Sequence, residues 1–355
     1  MRPRMLHCRE CDARFELDPD DADARRVRCP QCGAMVPVRS PGSHRDYDDR
    51  PRRGSATKWI ILIAVLVAIL GLGCCGGIIG LGWMAIRPTS FPEQTQDYAD
   101  ARKTHKTKLT TNGPAPQPHA PEQLPADASE LTYVSGKLQL KSWVNRPAPG
   151  GPPKPAVLFL HGGFAFGADD WDQCKPFRDA GFVTMTPWLR GENGQQGAYT
   201  MFYDEVDDVV AAAEALAGIP GVDPNRIFVA GHSAGGTLAM LSAMTSKRFK
   251  GCASFSGSPD QVKFVQGQEE LAPFDINDMN ELTMRSPLAF PKSFKCPARL
   301  YWGKEELLFR YSTRELAKKA TAAGLDVQAI EVPGDHFTSV DPAITQAITF
   351  FQQRK

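Results

Sequence analysis

The chain predicts an α/β protein: a doubly wound, mostly parallel sheet, preceded by a small zinc ribbon and one transmembrane helix. Three observations carry this expectation. Short apolar runs alternate with helix-compatible stretches from residue 129 onward, four cysteines near the start form two Cys-x2-Cys pairs, and the 28 residues from Trp59 to Ile86 contain no charged side chain. The 355 residues carry 41 basic and 40 acidic side chains, a near balance that gives no support to nucleic-acid binding.

Residues 1–38 hold Cys8-x2-Cys11 and Cys29-x2-Cys32, with 17 residues between the pairs. Four thiolates at that spacing can close a tetrahedron around a structural Zn²⁺, and so short a segment cannot bury enough apolar surface to fold otherwise. Redox-active pairs are disfavoured because no βαβ pattern surrounds them. Residues 39–58 read as a basic linker without apolar periodicity. Residues 59–86 are expected to span a membrane, since 28 residues at about 1.5 Å each exceed a hydrocarbon thickness of about 30 Å. A cleaved signal peptide fits poorly, because 58 hydrophilic residues precede the run.

Five basic residues lie in the 16 before the span and two, Arg87 and Arg102, in the 16 after it. That bias predicts a single-pass protein of a bacterial-type inner or cytoplasmic membrane, its N-terminus cytoplasmic and the long C-terminal part extracytoplasmic. A reducing cytoplasm also suits four thiolates. Gly73, Gly76, Gly77 and Gly80 include two GxxxG spacings that would let two such helices meet as a homodimer, although glycine is also simply frequent in spanning helices. The ribbon resembles small zinc-ribbon modules at the N-termini of some bacterial membrane proteins, which implies a cytoplasmic partner that the sequence does not name.

Residues 87–128, rich in Pro, Thr, Gln, Lys and Ala, are expected to form a disordered tether. From 129 to 355 the strands expected are 131–134, 137–144, 156–160, 182–186, 227–230, 252–256, 298–302 and 327–332, with a clear amphipathic helix over 204–216. The run Ala156 to Leu160 is wholly apolar, as a parallel strand buried on both faces should be.

The stretch Gly231-His232-Ser233-Ala234-Gly235 lies between the strand from Ile227 and a helix-compatible run to Thr245. It reads as a nucleophile elbow, with Ser233 exposed at a sharp strand-to-helix turn and glycines where side chains would collide. A serine nucleophile requires a base and a group that orients it, which in α/β-hydrolases follow in the order Ser, acid, His. His336, in Pro333-Gly334-Asp335-His336-Phe337, is the sole histidine after Ser233 and is the expected base. The acid belongs in the loop after the preceding strand, where Glu306 is the first choice and Glu305 the second, with Asp335 as a third. The oxyanion hole would use the amide of Ala234 and that of Gly163 or Phe164 in His161-Gly162-Gly163-Phe164; His161 is expected to support that loop. Residues 258–295 would form either a small cap over the serine or a helix packed on the sheet.

Residues 130–355 resemble the catalytic domain of prolyl oligopeptidase-type and dienelactone hydrolase-like α/β-hydrolases. The resemblance rests on PAVLFLHGG, EVDDVVAAAEAL, PGVDPNRIFVAGHSAGG, RSPLAF and PGDHF. It implies the α/β-hydrolase fold and a serine esterase or peptidase that needs no catalytic cofactor. The family has a His-Gly-x-x-Asp sequence where this chain has Trp302 and Glu306. An ester substrate is favoured over a peptide. Because of the glutamate and the bipartite architecture, a second reading stays open: an inactive hydrolase-fold receptor coupled to the zinc ribbon.

Overall fold

Parity along the apolar strands decides the architecture. In the strand Lys154–Leu160, Ala156, Leu158 and Leu160 enter one core while Val157 and Phe159 enter another, because successive side chains leave a strand on opposite faces. A continuous apolar run is therefore what a sheet covered on both sides requires. The computed structural model describes residues 5–7, 14–16, 26–32, 35–37 and 92–354. The chain divides into two units, Met1–Leu81 and Gly82–Lys355.

The first unit contains two antiparallel hairpins, β1 (Met5–His7) with β2 (Arg14–Glu16) and β3 (Arg26–Arg28) with β4 (Met35–Pro37). Each Cys-x2-Cys pair falls, in sequence, in the connection of one hairpin. Cys29 is buried and Cys32 exposed, while Cys8 and Cys11 lie outside the described residues. The expected span 59–86, its GxxxG spacings and the linker 39–58 also lie outside them. Among the described residues no helix is long and apolar enough to cross a membrane.

The second unit is built on an eight-stranded sheet in the order β12-β11-β10-β9-β7-β8-β6-β5. Its strands are β5 (Ser129–Ser135), β6 (Leu138–Val144), β7 (Lys154–Leu160), β8 (Val183–Pro187), β9 (Val222–His232), β10 (Gly251–Phe255), β11 (Ala298–Gly303) and β12 (Val327–Val332). The six strands β7 to β12 run parallel, and β5 and β6 add an antiparallel hairpin at one edge. Every strand expected from 129 onward is present.

Four longer helices cover the sheet: α1 (Glu205–Ala217), α2 (Ala234–Thr245), α3 (Arg310–Ala322) and α4 (Val340–Gln352). Helix α1 buries Val206, Val209, Ala213 and Leu216 on the expected face, in the same core as Leu158. On the opposite face Phe351 of α4 stacks on Phe228 of β9 with ring centroids 4.4 Å apart. Helix α2 is buried from Ala234 through Met244, as an apolar helix with no polar stripe must be.

The expected disordered tether needs correction over its described part. Residues 92–128 lie against the domain. Tyr98, in the short helix Tyr98–Thr104, is fully buried; its hydroxyl donates to the Met284 carbonyl at 2.9 Å and its amide to Ser293 Oγ at 2.9 Å. The amides of Thr110 and Thr111 donate to the Pro273 carbonyl, and that of Ala115 to the Gly191 carbonyl. Hydropathy does not register such a segment, because one aromatic anchor and many backbone hydrogen bonds hold it rather than an apolar face. The insertion 258–295 follows its packing alternative. Phe264, Phe274, Leu282 and Met284 are buried in the core, and Arg285 is buried against Glu281 at 2.6 Å.

Candidate active site

The elbow forms because β9 must turn into α2 within one residue beneath the end of β7. Ser233 takes up that turn at φ +52° and ψ −114°, a region costing a non-glycine residue about 1–3 kcal/mol. Its amide donates to the Phe255 carbonyl at 2.8 Å, and its carbonyl accepts the Thr237 amide of the first helical turn at 3.1 Å. A Cβ on Gly235 would stand 2.1 Å from the Leu160 carbonyl oxygen, so only glycine lets α2 pass this close to β7. Ser233 is thus fixed at the carboxyl end of a central strand, where open α/β sheets bind ligands.

The loops after β11 and β12 meet it there. His336 Nε2 lies 3.0 Å from Ser233 Oγ, and His336 Nδ1 lies 2.5 Å from Glu306 Oε1. The carboxylate can only accept, so Nδ1 carries the proton and the Nε2 lone pair faces the serine hydroxyl. Glu306 is 8% exposed, and its other oxygen, Oε2, has no hydrogen-bond partner among the described residues. Glu305 is exposed and contributes only its amide, to the Gly334 carbonyl at 3.1 Å. Asp335 is turned onto its own loop: Oδ1 accepts the amides of Phe337 and Thr338 and the Thr338 hydroxyl, contacts that hold its carboxyl below the usual range. Of the three acids weighed from sequence, only Glu306 is brought to His336.

His232, the variable position of the elbow motif, has a part that sequence reasoning missed. Its Nε2 lies 2.9 Å from the carbonyl oxygen of His336 and donates to it, which ties the His336 backbone to the elbow. Burial, with the neighbouring His336 adding to it, lowers the His232 pKa to about 4, so the ring is neutral at pH 7. A histidine beside a nucleophile is a signal for such a tie only once its partner loop is known.

On the other side stands the loop after β7. His161 is buried, with Nε2 2.9 Å from Glu192 Oε2, and Glu192 also accepts the Leu189 amide at 3.2 Å. Burial opposes charge on this ring, but the Glu192 carboxylate outweighs it and raises the pKa. His161 thus lies in the loop it was expected to support, well hydrogen-bonded and away from Ser233 Oγ. The Phe164 amide, one of the expected oxyanion donors, already donates to Gln117 Oε1 at 2.9 Å. Gln117 comes from the segment expected to be a tether, and nothing in its local sequence marks it.

Ser233, His336 and Gly163 line a cleft of about 700 Å³, with Gln117, Pro118 and Glu122 on one wall and Phe337, 72% exposed, at the lip. No residue of 258–295 lines it. Residues 170–291 match the sequence profile of the Peptidase_S9 prolyl oligopeptidase family. Over that stretch, about a third of its length, the chain is similar to the prolyl oligopeptidase family. Over 143 residues the chain is 27% identical to the uncharacterized peptidase YtmA of Bacillus subtilis (strain 168), a match covering 40% of this chain and 55% of that protein. The chain thus spans about half the length of that relative. In fold it is similar to a puromycin-hydrolyzing peptidase of Mycobacterium tuberculosis, with a TM-score of 0.55 and 23% identity over 64% of this chain and 39% of that one. A putative dienelactone hydrolase of Klebsiella pneumoniae gives a TM-score of 0.50 and 17% identity over 64% of this chain and 98% of that one.

Proposed function

We propose that the protein is a membrane-anchored serine hydrolase that opens small esters and short amides or peptides through an acyl-enzyme on Ser233. One observation carries the reading: the hydrogen-bonded row Glu306–His336–Ser233, ending on a serine held in a strained backbone conformation above a cleft. As Ser233 Oγ bonds to the substrate carbonyl carbon, its proton passes to His336 Nε2 and the carbonyl π pair moves onto oxygen. Glu306 keeps Nδ1–H in place and balances the imidazolium charge. The oxyanion is met by the Ala234 amide, at the N-terminus of α2, and by the Gly163 amide, since that of Phe164 is already engaged by Gln117. Collapse breaks the bond to the leaving group, which takes the proton from His336. Water, deprotonated by the same base, then releases the acid.

Esters are the easier substrates for this chemistry, while the similarity to an uncharacterized peptidase supports amides as well. The geometry also weakens one of the two supports of the receptor alternative, the glutamate, because Glu306 Oε1 lies 2.5 Å from His336 Nδ1; the bipartite architecture is the other. The membrane anchor is supported by the uncharged run 59–86 and would hold the hydrolase domain outside the cytoplasm. Zn²⁺, held by Cys8, Cys11, Cys29 and Cys32, would close the two hairpin connections on which these residues lie and would supply folding energy to the first unit.

The test uses the full chain in detergent, with Ser233→Ala as control. Covalent labelling by a fluorophosphonate, and burst turnover of p-nitrophenyl esters or aminoacyl p-nitroanilides, should both vanish in the variant. A folded wild-type protein that neither labels nor turns over either class refutes the proposal.

A further inference from the structure

The segment 113–127 runs past the cleft as a strap and contributes residues 117–120 and Glu122 to its lining. It is fixed at one end by the Tyr199 amide donating to the Gly113 carbonyl at 3.0 Å and the Ala115 amide donating to the Gly191 carbonyl at 2.9 Å. At the other end Asp127 accepts the Trp171 indole N–H at 2.9 Å and pairs with Arg178 at 3.2 Å. Between these pins Pro116, Pro118 and Pro121 remove backbone donors and favour an extended course. Gln117 is the side chain that enters the site: its Oε1 accepts the Phe164 amide at 2.9 Å.

That bond fixes which way the carboxamide faces. An amide N–H can be met only by the carbonyl oxygen, so Oε1 lies toward Phe164 and Nε2 is the remaining end. Measured from the point where a Cβ on Gly163 would stand, Oε1 is at 2.5 Å and Nε2 at 3.3 Å, so the carboxamide lies beside Gly163 with its oxygen the nearer end. Among the described residues no hydrogen bond uses Nε2, and Gln117 lines the same cleft as Gly163, Ser233 and His336. The Phe164 amide is thus spent on Oε1, and the Gln117 N–H group is a donor carried by a residue that lines the cleft.

We propose that Gln117 is a third donor to the carbonyl oxygen of the substrate, strengthening its hydrogen bond as that oxygen becomes an oxyanion. The inference rests on the acyl-enzyme reading above. Gln117 transfers no proton in the step: the C–Oγ bond forms, the Oγ proton goes to His336, and Nε2–H only donates to the oxygen receiving the π pair. Side-chain amides serve this purpose because their dipole is preset and need not reorganise during reaction. Removing a single oxyanion donor lowers kcat by about 10²–10³ where the donor is buried. Gln117 is exposed, so a loss of about tenfold or more is expected.

The experiment compares wild type, Gln117→Ala, Gln117→Glu and Ser233→Ala as full chains in detergent. It measures kcat and KM on a p-nitrophenyl ester, and the Ki of a trifluoromethyl ketone, which forms a serine hemiketal bearing the oxyanion. Gln117→Glu is the informative variant, because a carboxylate still accepts the Phe164 amide and keeps the strap seated but has no N–H to give. Both Gln117 variants should lose about tenfold or more in kcat, with KM within threefold, and the ketone should weaken by the same factor. Equal loss in KM alone, or rates like wild type, overturns the donor role. Rates above wild type also overturn it and would mean that the carboxamide competes with substrate for the hole. A wild-type chain that is itself inactive, like Ser233→Ala, fails the acyl-enzyme reading and this inference with it.

Discussion

The glutamate that stands where the family has aspartate gives the sharpest test, because its reach is built into the loop that carries it. Glu306 Oε1 is 2.5 Å from His336 Nδ1, and among the described residues Oε2 has no partner to compensate for a shift of the group. Glu306→Asp removes one C–C bond, about 1.5 Å. The contact would open to about 4 Å, past the range of a hydrogen bond. A hydrogen bond to a charged group contributes about 1.5–3 kcal/mol, so kcat should fall about 10- to 150-fold. Glu306→Gln keeps the length but removes the charge that balances the imidazolium and permits the wrong tautomer, for which Ser-His-Asp sites lose about 10⁴. Burst and steady-state turnover of a p-nitrophenyl ester, with melting temperatures as a folding control, would order the activities as wild type, Glu306→Asp, Glu306→Gln. If both variants stay within threefold of wild type while folded, Glu306 does not orient His336, and the reasoning from this row is wrong.

Other consequences can be measured on the same preparation. The His232 pKa is about 4 in the folded chain against about 6.5 when unfolded; between those values the unfolded chain binds more protons, so stability falls as pH drops, by about 3 kcal/mol in all. Urea midpoints from pH 7.5 to pH 4 should show this loss in wild type and lack that share of it in His232→Gln; identical slopes would refute it. Tyr98→Ala empties a fully buried site and breaks two hydrogen bonds, and should cost about 3–5 kcal/mol by denaturant titration, whereas a change under about 1 kcal/mol would return residues 92–128 to the status of a loose tether. Gly235→Ala places a methyl group 2.1 Å from a backbone oxygen that cannot retreat, so it should abolish fluorophosphonate labelling or soluble expression. Labelling at the wild-type rate would show that the elbow tolerates a side chain there.

The sequence by itself determined the sheet, the elbow and the placing of His336 just after the last strand. Each is written locally: uninterrupted apolar strands, glycines flanking Ser233, and a lone late histidine after the last strand all follow from short-range geometry. It left Glu305, Glu306 and Asp335 in competition because adjacent carboxylates are alike in sequence. The choice depends on which one the β11 loop turns inward and on what the Asp335 carboxylate finds within its own turn. It could not show that His232 secures the His336 loop, since that contact joins residues 104 apart. The segment 92–128 is the clearest case. Its composition lacks an apolar face, so a reading based on hydropathy sees only a linker, yet Tyr98 fills a pocket made by residues nearly 200 positions away and Gln117 reaches the cleft. Pairing between distant backbone groups leaves no periodic trace in a sequence, and only the folded chain brings those donors and acceptors within reach.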